Sequence, residues 1–288
     1  MYEQKRTRSR FWLRIHDNDT SISLSANYLT SKLIQLKFPE LETNSPKGWT
    51  ESTNINDLYN LWLPNDCYEP QDIEELKEWA ENTNKYIWLS TNKNTAPFFN
   101  GEELDFCLAY DWGFNFDTNK RTPVGEAEYW LKYHPERLLD EQRDAYVQTM
   151  AQAVRECVSA LPVHFEDFVV TTVPATQSKQ QKLSWALAKY VARGLKLPFV
   201  ALTLTRDKPE MKSLSLAEKV NTWRKIYSDE SWISVPENLC GKNMLIVDDL
   251  FQSGTSLFCL AEFLKHKLGT KQIIAVTSVK SQRDGDNK

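Results

Sequence analysis

Thirteen residues near the C-terminal end constrain this chain most: Met244, Leu245, Ile246, Val247, Asp248, Asp249, Leu250, Phe251, Gln252, Ser253, Gly254, Thr255 and Ser256. Met244 to Val247 is apolar without alternation, which reads as a strand buried on both faces. Two adjacent acids end it, and a short hydroxyl-rich turn with one glycine follows. From Leu257 the pattern turns helical, with Leu257, Leu260, Ala261 and Leu264 spaced for one face. Strand, acid pair, small turn and helix together make a place to hold a phosphate. The turn amides and the helix N-terminus attract an anion, and the Ser and Thr hydroxyls add donors. Carboxylates repel phosphate, so the acids suit a neighbouring sugar diol or a divalent metal.

The whole chain bounds the classes open to this motif. Its 288 residues suffice for one large domain or two modest ones, and 41% hydrophobic with 26% charged residues is ordinary for a globular protein. No apolar run approaches the ~18 residues of a membrane span. The basic N-terminus has no apolar core behind it, so no signal peptide is expected and the cytoplasm is the expected compartment. A net charge of −4 argues against a globally basic nucleic-acid binder. Lys5, Arg6, Arg8 and Arg10 still form a basic opening that could touch a nucleic-acid backbone or lie solvated as a tail. Cys67, Cys107, Cys157, Cys240 and Cys259 stand singly, which excludes a zinc ribbon or a C-x-x-C redox pair.

Taken in order, residues 11–15 and 21–26 alternate like strands, and residues 28–38 suit a strand or a short helix. Residues 39–53 read as a polar loop. Pro70 opens a helix to about Asn82, with Ile73, Leu76, Trp79 and Ala80 on one face. Residues 86–89 and 104–112 read as strands. This gives an α+β region of 1–117 without repeat or metal spacing, and the polar connector 117–121 marks the expected boundary. Beyond it come a helix over about 140–159, a β-branched strand over 168–174 and a helix to about Leu195. A strand over 199–204, a basic connection over 205–215, a helix over 217–227 and a last strand over 273–278 complete the series. Strands alternating with helices over 118–288 predict an α/β domain with a covered parallel sheet.

The acid pair and the S-G-T-S turn resemble the phosphoribosyl-pyrophosphate (PRPP) motif of type I phosphoribosyltransferases. Thr122-Pro123-Val124-Gly125 with Leu131-Lys132-Tyr133, the strand Val169 to Pro174, and Leu214 to Asn221 are similar, in the same order, to the ComF-like branch of that family. The resemblance covers roughly residues 118–280. It implies a parallel-sheet phosphoribosyltransferase-like domain behind a smaller α+β domain. It also implies that Asp248 and Asp249 are the catalytic residues, facing the ribose hydroxyls and holding Mg²⁺ directly or through water. Gln252, Ser253, Gly254, Thr255 and Ser256 would wrap the 5′-phosphate. Pro174, Ala175, Thr176 and Lys179, with Lys182 beyond, would meet the pyrophosphate, and Arg206, Lys208 and Lys212 would close over it. The chain departs from the pattern at Gln252, where threonine is usual, and at residues 178–182, where R-G-F-N is usual. It also lacks the four-cysteine element that usually begins ComF-like proteins.

Transfer of phosphoribosyl or cleavage of PRPP with Mg²⁺ is therefore expected, in a setting such as DNA uptake or a retron-type bacterial defence system. Beside it stands a non-catalytic nucleotide-sensing or interaction module that keeps the pocket. Partner classes left open are a nucleic acid or a protein through the N-terminal region, and a second copy of the chain. The four histidines, His16, His134, His164 and His266, show no linking pattern, so no general base is assigned.

Overall fold

Two kinds of sheet divide the chain, one antiparallel and half-covered, the other parallel and covered on both faces. The computed structural model describes residues 1–6, 8–176, 182–211 and 213–282. It separates into a unit of residues 1–89 with 159–163 and a unit of residues 90–158 with 164–288.

The first unit holds β1 (Tyr2–Lys5), β2 (Trp12–Asn18), β3 (Ser21–Ala26), α1 (Tyr28–Lys37), α2 (Pro39–Asn44), β4 (Thr50–Glu51), β5 (Tyr59–Pro64), α3 (Pro70–Thr83) and β6 (Ile87–Trp88). Strands β1-β2-β3-β5-β4 pair antiparallel in that order. Alternation puts Leu13, Ile15, Leu24, Leu61 and Leu63 on the buried face. Residues 28–38 settle as helix because Asn27 caps it, its Oδ1 accepting from the Thr30 amide at 2.9 Å. Residues 39–53 are not the expected loop. Pro39 at the first helical position, with Glu40 and Glu42 in the first turn, starts α2, and β4 follows. The basic opening is likewise not a loose tail: β1 runs in register along β2, and the Arg6 guanidinium donates to the Lys85 carbonyl. Phe11 packs edge-on to Trp79 at 5.9 Å, with Phe38 on the same ring at 5.6 Å, so much of the aromatic load here is core.

The second unit holds β7 (Phe106–Trp112), α4 (Pro123–Tyr133), α5 (Asp140–Ala160), β8 (Phe168–Thr171), β9 (Ala175–Thr176), α6 (Leu183–Leu195) and β10 (Thr203–Leu204). Then come α7 (Leu216–Ser228), β11 (Ile233–Ser234), β12 (Asn243–Phe251), α8 (Thr255–Glu262) and β13 (Ile273–Lys280). Four strands run parallel in the order β7-β13-β12-β8, with Ile246 paired to Ala275 on one side and to Thr171 on the other. All eight residues of β13 are buried, beginning with the apolar run Ile273 to Val276. Two sequence expectations change. The strand over 106–112 belongs to this parallel sheet, so the division falls after Leu89 rather than near residue 117. Position in a sheet depends on which distant strand supplies the partner, and a polar connector alone does not reveal that. The expected strand over 199–204 splits into a single parallel bridge, Val170 to Phe199, and the short β10, which joins β9 and β11 in a small separate sheet. No described helix is long and apolar enough to cross a membrane.

Helix α4 is seated by the Thr-Pro-Val-Gly segment. Thr122 caps it by accepting from the Gly125 amide at 3.1 Å and donates its hydroxyl to the Trp112 carbonyl at 2.5 Å. Gly125 lies so close to Gly113 that a Cβ would stand 2.0 Å from the Gly113 carbonyl oxygen. Replacing Gly125 with Ala must push α4 off the end of β7, and we expect a loss of about 3 kcal/mol in urea unfolding. Gly241, where a Cβ meets nothing within 4 Å but φ is +73°, serves as the comparison, with a smaller loss of about 1 kcal/mol on replacement by Ala.

Candidate functional site

The parallel sheet creates a crevice between two of its strands. After β8 the chain crosses through α6 to Phe199 on one side of β8, and it later returns as β12 on the other side. Strands whose onward connections diverge leave a gap at their C-terminal ends, and open α/β sheets bind ligands there. A cavity of about 420 Å³ occupies this place, lined by Val173, Pro174, Lys182, Ser184, Asp248 and Asp249 together with Leu131, Lys132, Leu183 and Lys208. A second cavity, of about 350 Å³, adjoins it and shares Lys182 and Lys208. Ala175, Thr176, Asp207 and Glu210 line this second one. Each volume lies within the size range of small-ligand sites.

The acid pair ends the buried part of β12. Both residues are half-buried, and the Asp249 amide donates to Asp248 Oδ1 at 3.0 Å. Helix α4 brings a third carboxylate and an ammonium to them. Glu128 and Lys132, one helical turn apart, share the face of α4 toward β12. Lys132 Nζ lies 3.0 Å from Asp249 Oδ2 and 3.2 Å from Glu128 Oε1. The second contact is an ion pair without hydrogen-bond direction, since Glu128 Oε1 is buried with no hydrogen-bond partner among the described residues. Burial, reinforced by the Asp249 charge, pushes the Asp248 carboxyl up to about 8. Burial likewise raises Glu128, with Lys132 opposing it. For Lys132 burial acts downward, but Asp249 and Glu128 outweigh it and hold the ammonium above its ordinary range.

The turn after the acids is shaped by packing. Gly254 has φ +80°, and a Cβ there would stand 2.4 Å from Phe251 Cζ, so glycine is required on both counts. Thr255 begins α8, and the first helical bond runs from the Phe258 amide to the Gly254 carbonyl. The amides of Ser256 and Leu257 precede that ladder and have no acceptor within the helix. The hydroxyls behave differently from the sequence expectation. Ser253 and Thr255 are buried, and their oxygens bond one another at 2.9 Å, so both turn inward. Gln252 to Ser256 line neither cavity. Beneath the turn lies Lys280, 2% exposed, donating to the Ser281 carbonyl at 2.8 Å and the Gln252 carbonyl at 3.3 Å.

The remaining expected residues separate. Pro174 faces the acid pair, while Ala175 and Thr176 face the adjoining cavity, where Thr176 Oγ1 donates to Asp207 Oδ1 at 3.1 Å. Lys208 lines both cavities, its ammonium 4.5 Å above the Trp223 ring. Arg206 instead lies over Trp232 at 3.9 Å and bonds Asp229 at 2.8 Å, lining neither. Lys179 and Lys212 lie outside the described residues. His134 sits against Tyr129 and Trp130, away from both cavities. Sequence reasoning quoted Lys132 within its motif without a role and passed over Glu128. The one available signal was their spacing of four on a helix.

A resident Mg²⁺ shared between Asp249 and Glu128 does not fit these residues. The Lys132 ammonium already fills the space between Asp249 and Glu128 that a shared cation would need. Among the described residues no group of three His, Cys, Asp or Glu side chains is arranged to hold an ion.

No protein-family model and no characterised protein sequence matches this chain. Solved structures similar to it include a hypoxanthine phosphoribosyltransferase from Staphylococcus aureus, at 13% identity and TM-score 0.32, covering 49% of this chain and 67% of that one. An adenine phosphoribosyltransferase from Saccharomyces cerevisiae is similar at 14% identity and TM-score 0.30, covering 50% and 70%. A purine phosphoribosyltransferase from Pyrococcus horikoshii is similar at 18% identity and TM-score 0.29, covering 51% and 87%.

The raised Asp248 gives a pH test with a definite sign. The folded protein keeps this proton up to about pH 8, while the unfolded chain releases it near the ordinary carboxylate value. Folding stability from this group is therefore present at low pH and declines as pH rises toward 8, by up to about 1.4 kcal/mol per unit. Asp248→Asn should lack that decline, so urea midpoints of variant and wild type should diverge in the variant's favour between pH 5 and pH 8.

Proposed function

We infer that the crevice binds PRPP and that the protein transfers the phosphoribosyl group or cleaves pyrophosphate from it. The observation that carries this reading is the placement of Asp248 and Asp249 opposite Pro174, Lys182 and Lys208 at the diverging strand ends, with the start of α8 directly after them. PRPP carries a neutral diol between two anionic ends. Carboxylates accept from the diol and lysines meet the pyrophosphate, while the first turn of α8, beyond the cavity lining, would offer amides to the 5′-phosphate. In transfer, the bond from C1 to the pyrophosphate oxygen breaks and the electron pair leaves with pyrophosphate. A nitrogen of an acceptor, or water in the cleavage reaction, forms the new bond to C1. Lys182 and Lys208 stabilise the charge that grows on the leaving group. Any Mg²⁺ in this reading travels on the ligand's own phosphates.

A second reading, binding without turnover, is favoured by the inward-turned hydroxyls of Ser253 and Thr255. One of their two O–H donors is spent on this pair, so the 5′-phosphate would rest chiefly on amides and the Ser256 hydroxyl.

Calorimetry with PRPP in Mg²⁺, followed by pyrophosphate release with a panel of bases and with water, separates the readings. We expect saturable binding, and release that falls at least about hundredfold in an Asp248→Asn, Asp249→Asn double variant. Saturable binding without release assigns the second reading. Absence of binding overturns both.

A further inference from the structure

Two carboxylates meet around one cation at the end of β12, with a third beside them, and that cation belongs to the protein. Asp248 and Asp249 come from the strand, and Glu128 comes from α4. With Asp249 and Glu128 ionised, Asp248 holding its proton and only Lys132 opposite, the cluster carries a net charge of one negative. Two carboxylates that face one another ordinarily recruit a hard cation. The geometry works against that. Lys132 reaches Asp249 at 3.0 Å and Glu128 at 3.2 Å from one position, so its ammonium stands between the carboxylates that an ion would bridge. It is not a loose surface charge, because α4 is fixed by its Thr122 cap and by the contact of Gly125 with Gly113. The side chain still keeps 34% exposure, and it lines the cavity together with both aspartates. The other charged groups around the cluster are Lys182 and Lys208 on the cavity wall and Arg121, whose guanidinium lies over the Tyr129 ring at 3.8 Å.

We propose that Lys132 is the built-in cation of this site: it holds the place of a divalent ion between Asp249 and Glu128 and presents its ammonium to the anionic part of a bound ligand. The inference rests on the cluster itself and does not need PRPP to be the ligand. Lys132 is a positioning residue toward Asp249, and its free face is the part that meets a ligand.

The test uses a divalent ion alone. Mn²⁺ is titrated into the full-length protein without ligand, and free Mn²⁺ is followed by electron paramagnetic resonance. Wild type should bind Mn²⁺ no better than an Asp249→Asn variant. Lys132→Gln, which leaves Asp249 and Glu128 facing each other without their cation, should gain at least about tenfold in Mn²⁺ affinity. Adding Glu128→Gln to it should abolish the gain. Lys132→Arg keeps the charge and should behave as wild type, and thermal unfolding of each variant reports that it is folded. Tight wild-type binding of Mn²⁺ that Asp249→Asn removes would overturn the proposal, as would a folded Lys132→Gln protein with no gain. Should Lys132→Gln fail to fold, the comparison of wild type with Asp249→Asn and Glu128→Gln decides, because the proposal requires equally weak binding in all three. PRPP calorimetry on the same wild-type sample fails or succeeds separately, so loss of the functional reading is distinguishable from loss of this one.

Discussion

The contact between Lys132 and Asp249 is the interaction on which the site depends. A carboxylate at the C-terminal end of a covered parallel strand loses much of its water, and two adjacent ones also repel each other. Charge balance has to come from elsewhere in the fold. Helix α4 supplies it through an ammonium that reaches both Asp249 and Glu128. Without that cation, the cluster would have to take up protons or an external ion. The same arrangement explains why the two aspartates differ: Asp249 has the direct ion pair, whereas Asp248 takes the proton.

Backbone devices far from the acids keep that contact in place. The close approach of Gly125 to Gly113 fixes α4 against the end of β7, and the Thr122 hydroxyl ties the helix start to the last carbonyl of the same strand. The parallel register through β7, β13 and β12 then carries the position of α4 to the acids. A short side chain at one turn thus sets the distance between two charges in another. Buried polar groups inside this sheet follow the same economy. Thr171 and Ser278 each donate to a carbonyl, of Val200 and Met150 respectively, so covering the sheet leaves these hydroxyls satisfied.

Much of this was legible before the fold was known. The unbroken apolar run before Asp248, the glycine at 254 and the helical spacing from Leu257 gave strand, turn and helix in the right places, because each is a local preference. Pro70 and the apolar face behind it gave α3 in the same way. The errors lie where partners are distant. Residues 106–112 read as part of the first region, since nothing in so short a run says which strand will pair with it. Residues 199–204 read as one strand, yet only Phe199 bridges β8, and the rest leaves for a different sheet. Arg206 and Lys208 looked alike in sequence, but Trp232 and Asp229 draw one outward while the other lines both cavities.

By itself, then, the sequence determined an α/β region built around a strand that ends in two acids and turns through Gly254 into a helix. These follow from hydrophobic period, backbone conformational freedom and helix-terminus chemistry, all of which act over a few residues. Only the tertiary structure decided what stands opposite the acids. Lys132 lies 117 residues upstream of Asp249, and Glu128 is farther still, so their meeting depends on the crossing of a whole sheet. The inward pairing of Ser253 with Thr255 was decided there too, because the sequence shows two hydroxyls but not the packing of Phe251 and Phe258 that turns the chain around them. Electrostatic balance and burial are properties of assembled neighbours, and no local pattern contains them.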